Sequence, residues 1–175
     1  MPPRWTERRF TFDLPLPHAV LVLERVRGTP ARVEEKVRAL TPEVLRRKPG
    51  ASWSIQEHLG HLIDLDVLHA GRLDDFLAGV AALRAADMTN RRTEEARHNE
   101  RPLPELLAEF RRERAAFVAR LEAWAPEAWG RTALHPRLQT PMRVIDMVQF
   151  VAEHDDHHLA WMTELTAAAR AASAR

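Results

Sequence analysis

The sequence predicts an all-α fold built as a four-helix bundle, and three observations predict it. Prolines leave three long proline-free stretches, residues 50–101, 105–125 and 142–175, and proline breaks helix interiors. No stretch alternates apolar and polar residues long enough to argue for a sheet; the brief alternation at 9–16 is closed by Pro15 and Pro17 and reads as part of an extended lead-in over 1–17. Helix-start signals recur. Thr29-Pro30, Thr41-Pro42 and Thr140-Pro141 each place a capping hydroxyl before a proline at the first helical position.

Taken in order, helical turns over 18–27 lead into a first helix over 30–40, followed by a short piece at 42–47. A second helix spans 54–82, opened by Ser54-Ile55-Gln56-Glu57, in which serine and glutamate satisfy each other's free amides. Residues 87–100 are polar and lack apolar period, which predicts a long loop; such loops often carry function. A solvated connector is its simplest reading, and Asn90, Arg91, Arg92, His98 and Asn99 are its candidates for contacting an anionic or polar substrate. The third helix spans 102–124, and a connector over 124–138 places Trp129 as a plug at the bundle end. The fourth spans 141–169, with a fraying tail over 166–175. The 175 residues read as one domain.

Composition removes several function classes. A chain 45% hydrophobic and 29% charged has apolar surface enough to fold. No apolar run approaches the roughly 20 residues of a membrane span, and no signal-peptide order of regions opens the chain, which predicts a cytoplasmic protein. A net charge of +1 argues against nucleic acid as partner. The Arg111-Arg112-Arg114 cluster reads as a solvated helix face. The absence of cysteine excludes disulfides, thiolate metal sites and cysteine nucleophiles, so any sulfur nucleophile must arrive as a small molecule.

Six of the nine histidines fall on two helices: His58, His61 and His69 on the second, His154, His157 and His158 on the fourth. Each of those helices also carries five acids against one arginine over 54–80 and 139–165, a local field that favours a cation. On the fourth helix, Val144, Val148, Val151, Leu159 and Met162 define the apolar face at about 100° per residue. His158 lies at its edge with His154 beside it, one turn apart, so both imidazoles can reach one ion. His157 points well away from the core, and Asp155 falls inside the apolar stripe, where its carboxylate must be paired; orienting an imidazole is one such job. The second helix buries Ile55, Leu59, Leu62, Leu65, Leu73, Phe76 and Leu77, and periodicity does not choose between His58 and His61.

The segment Trp53-Ser54-Ile55-Gln56-Glu57-His58-Leu59-Gly60-His61-Leu62-Ile63-Asp64, followed by Val151-Ala152-Glu153-His154-Asp155-Asp156-His157-His158-Leu159, resembles the DinB-like superfamily, which includes YfiT-type metal-dependent hydrolases and bacillithiol transferases. The motifs are W-S-x-x-E-x-x-x-H and H-x-x-x-H, and the similarity runs from Thr29-Pro30 through the fourth helix. The resemblance implies an up-down-down-up bundle. It also implies that His61, His154 and His158 ligate a divalent metal, zinc or nickel, with a low-molecular-weight thiol as cosubstrate in some members.

On the enzyme reading, three neutral imidazoles with an open position support hydrolysis or thiol transfer on a small-molecule substrate. Glu57, Asp64 and Asp155 are candidate outer groups, although angle arithmetic puts Glu57 and Asp64 toward solvent, and no general base is identifiable. The alternative is a non-catalytic helical module that binds a ligand or dimerises, with structural histidines; a homodimer is compatible with either. A di-iron bundle needs Glu-x-x-His motifs on two helices, and the second helix has none.

Overall fold

In a computed structural model, which describes residues 2–173, the chain forms four long helices, two one-turn helices and a small hairpin. Helix α1 (Ala19–Val37) begins well before Pro30, correcting the expected start at Thr29-Pro30. Pro30 lacks the N–H that would pair with the Val26 carbonyl one turn back. Arg114 Nη1 donates to that carbonyl at 3.1 Å instead, so a partner distant in sequence lets the proline sit inside the helix.

Helix α2 (Pro42–Arg46) follows Thr41 as expected. Helix α3 (Ile55–Ala78) opens on the predicted capping box, with Ser54 and Glu57 satisfying each other. It stops short of the expected residue 82 because Gly79 takes a left-handed φ of 66° and closes the last turn. The stretch expected as a loop contains one-turn helix α4 (Arg91–Glu95) and a 3₁₀ turn at His98–Glu100.

Helix α5 (Leu103–Glu122) carries proline in its first turn. Strands β1 (Thr132–His135) and β2 (Thr140–Arg143) pair antiparallel, with Leu134 opposite Pro141. Thr140-Pro141 is therefore strand, and helix α6 starts at Val144 and runs to Ser173 (Val144–Ser173). Proline is tolerated because β2 is an edge strand: β1 meets β2 on one side and residues 81–83 on the other. Helix persists through most of the tail expected to fray, whose last two residues lie outside those described.

Cross-helix bonds give the directions. Arg25 reaches Glu153 and Lys36 reaches Thr163, so α1 and α6 run parallel. Arg114 meets Asp66 and Arg120 meets Asp74, so α3 and α5 also run parallel. His58 faces His158 while Arg27 pairs with Glu122 and Arg111 with Glu34, so the two pairs are antiparallel to each other. The order along the chain is up-down-down-up.

Apolar side chains form two clusters. One gathers Val26, Phe76, Phe117, Trp129, Ile145 and Val148, with Trp129 buried as expected. The other gathers Val33, Ile55, Leu59, Phe110, Leu159 and Met162. Between them lies a buried polar layer of Thr29, Asp66, Arg114 and Asp155. Arg114, expected on a solvated face, is 1% exposed and donates to Asp66, Asp155 and the Val26 carbonyl. Periodicity within α5 registers one helix face and not the three helices that cover it. Leu77, expected in the core, is 50% exposed because the chain turns away just beyond it, at Gly79. Among the described residues no helix is long and apolar enough to cross a membrane.

Candidate metal centre

Helices α3 and α6 cross as antiparallel neighbours and bring His61, His154 and His158 together. All three are buried, and each offers one ring nitrogen within 4.8 Å of the others. The Nε2 atoms of His154 and His158 lie 3.0 Å apart. Two imidazole nitrogens about 2.0–2.1 Å from one ion, at right-angled to tetrahedral geometry, would sit about 2.9–3.4 Å apart. The donor set suits a divalent ion, and the His154–His158 pair already stands at that spacing, with the His61 nitrogen within 4.8 Å of both.

Burial pushes the His58 imidazole down to about 3 and that of His61 to about 4. It also holds His154 and His158 well below their ordinary value, with neighbouring imidazoles adding to the effect. All are neutral near pH 7, the form in which an imidazole coordinates.

A hydrogen-bond chain orients His61. Asp64 accepts from the Thr93 hydroxyl at 2.8 Å, and Thr93 Oγ1 lies 3.0 Å from His61 Nδ1. Having given its proton to Asp64, the hydroxyl accepts from His61 Nδ1–H, which leaves His61 Nε2 with a free lone pair. His98 Nε2 and Arg92 Nε also donate to Asp64. Burial pushes that carboxyl up, but the bonds from His98, Thr93 and Arg92 outweigh it and hold the group below the usual range.

Asp64 thus reaches His61 through Thr93, and it is buried where angle arithmetic puts it toward solvent. The residues of 87–100 fold over that side of α3. Thr93 escaped sequence reasoning because a loop has no period from which to read an inward-facing residue.

The other expectations divide. His58 stands behind the cluster, its Nδ1 meeting His158 Nδ1 at 2.8 Å. His157, expected to point outward, is only 7% exposed, since Trp5 from the N-terminal segment lies against it and against His154. Trp53 packs on His61 and donates Nε1–H to Glu94. Asp155 is paired, as its place in the apolar stripe required, but with Arg114 and Thr29 and with no imidazole. Glu57 serves the helix cap and an ion pair with Lys48.

The cluster opens into a cavity of about 710 Å³. Of the five loop candidates Asn90 lines it; His98 is buried beneath, Asn99 accepts from Ser54, and Arg92 reaches Asp64. The cavity also takes in Arg72, His135 and Arg137, none of which periodicity singled out.

A sequence profile of the DinB superfamily matches residues 25–162. The solved structure of YfiT from Bacillus subtilis, described as a probable metal-dependent hydrolase with an unusual four-helix bundle topology, is similar to this chain at a TM-score of 0.77 and 19% identity, over 91% of this chain and 92% of that one. No curated protein matches significantly. The profile spans most of the sequence and both histidine motifs, and the chain belongs to the DinB superfamily.

Proposed function

We propose that this chain is a divalent-metal-dependent enzyme, a hydrolase or a transferase of low-molecular-weight thiols, with His61, His154 and His158 as the metal ligands. The observation that carries the reading is three neutral, buried imidazoles converging at the wall of a cavity large enough for a small molecule. The description of YfiT as a probable metal-dependent hydrolase supports the same class.

A divalent ion held by His61, His154 and His158 would supply Lewis acidity, able to polarise a substrate oxygen or lower the pKa of water or a thiol. The protein's own groups do the rest. The Asp64–Thr93 chain presents His61 Nε2, and Trp5, Trp53 and Trp161 give the cavity apolar walls. With no cysteine in the chain, the sulfur of a thiol transfer belongs to a cosubstrate. Imidazole ligands suit zinc and nickel alike.

Elemental mass spectrometry on tag-free protein tests the reading. Near one zinc or nickel per chain is expected, lost in His154→Ala, followed by metal-dependent turnover in a screen of hydrolase and thiol-transfer substrates. Wild-type protein that holds no ion after reconstitution would sink it.

A further inference from the structure

The cavity has a second pole. From His61 the lining of α3 runs through Leu65 and Leu68 to Arg72, whose Cα lies about 16 Å further along the helix axis. Arg72 is 2% exposed, yet its one hydrogen bond among the described residues runs from Nε to the Arg84 carbonyl at 3.2 Å. Among those residues its terminal nitrogens meet no protein acceptor. The nearest carboxylate, Asp75, is taken up by Arg84 through the backbone N–H, Nε and Nη2.

Across the cavity, Arg137 stacks on Phe150 and buries an unpartnered Nη2. His135 Nδ1 accepts from the Leu138 amide at 3.2 Å, so its proton sits on Nε2, which is also buried without a partner. Burial lowers Arg72 to about 10; the Asp75 carboxylate offsets this in part, and Arg137 and Arg84 add to it.

Buried donors without acceptors cost stability unless a ligand supplies the acceptors. Two guanidiniums and one N–H in a single pocket match the oxygens of a carboxylate or phosphate. We propose that Arg72, Arg137 and His135 form an oxyanion-binding subsite. The substrate or cosubstrate is then an elongated anion, its charged end held here, its apolar middle against Leu65, Leu68 and Phe150, and its reacting group at the three histidines. The subsite stands on its own residues; only the last clause rests on the metal-centre reading.

The test is calorimetric titration of inorganic phosphate and of succinate into wild type, Arg72→Met, Arg137→Gln and His154→Ala, each with and without chelator. We expect at least one anion to bind wild type whether or not chelator is present. The preferred one tells a phosphate from a carboxylate end group. Each arginine variant should weaken binding about 10-fold or more, and His154→Ala should not.

Arg137 is only partly buried and lies in a hairpin loop, so its variant carries the test if Arg72→Met fails to fold. Absence of binding to wild type, or wild-type affinity in both folded arginine variants, overturns the proposal. Binding that disappears with chelator or in His154→Ala, while surviving in the arginine variants, puts the anion on the metal; that overturns the subsite and upholds the metal centre. Binding as expected in a protein that takes up no ion upholds the subsite and overturns the metal centre.

Discussion

A hydroxyl has one proton, and that limit orients His61. Thr93 gives its proton to Asp64 and must receive one from His61 Nδ1, so the lone pair that faces His154 and His158 is set by a threonine from another element. Thr93→Val keeps the shape and removes both bonds. Metal affinity should fall about 10- to 100-fold with the circular dichroism spectrum unchanged, read by competition against a chromophoric chelator. The buried imidazoles also make a statement about pH. His61 is lowered from 6.5 to about 4, so the unfolded chain binds the proton more readily. Its contribution is complete above pH 6.5 and is lost as pH falls toward 4, by about 3 kcal/mol for a shift of this size. Urea melts of metal-stripped protein between pH 7 and 4 should show stability falling in that window, and a flat profile would refute it.

At the scale of elements, α3 depends on a close approach. A Cβ at Gly60 would run into the buried ring of His98, and that ring donates to Asp64. Alanine gains roughly 1 kcal/mol of helix propensity, but overpacking against a fixed ring costs about 1–3 kcal/mol. Gly60→Ala should lower the melting temperature and, by displacing His98, weaken metal binding as well. A variant with wild-type stability and affinity would show that the loop yields freely. The starts of α2, α3 and α5 were legible because a cap or an early proline acts within one turn. The same Thr-Pro signal misled at 29–30 and 140–141. In one case Arg114 supplies the missing donor, and in the other the proline lies on an edge strand.

At the scale of the whole molecule, Arg114 ties all four long helices. It sits on α5 and binds the Val26 carbonyl of α1, Asp66 of α3 and Asp155 of α6. One guanidinium faces two carboxylates, and burial pushes Asp66 up to about 6 against the pull of Arg114. Arg114→Met strands both acids in the core and should cost about 3–5 kcal/mol, measured by urea unfolding at pH 7. A loss below 1 kcal/mol would mean that the layer relaxes or hydrates.

Caps, prolines and the 3.6-residue period act over one or two turns, so the residues alone revealed the helical class, the rough extents of α3, α5 and α6 and the one-turn stacking of His154 on His158. The family motif also named His61. That Asp64 and His157 lie inside, that Arg114 is core, that Thr93 meets His61 and that Arg72 and Arg137 line the cavity came only with the packing of the helices. Each of those placements depends on chain that is distant in sequence and covers a face that the helix's own periodicity reads as open to water.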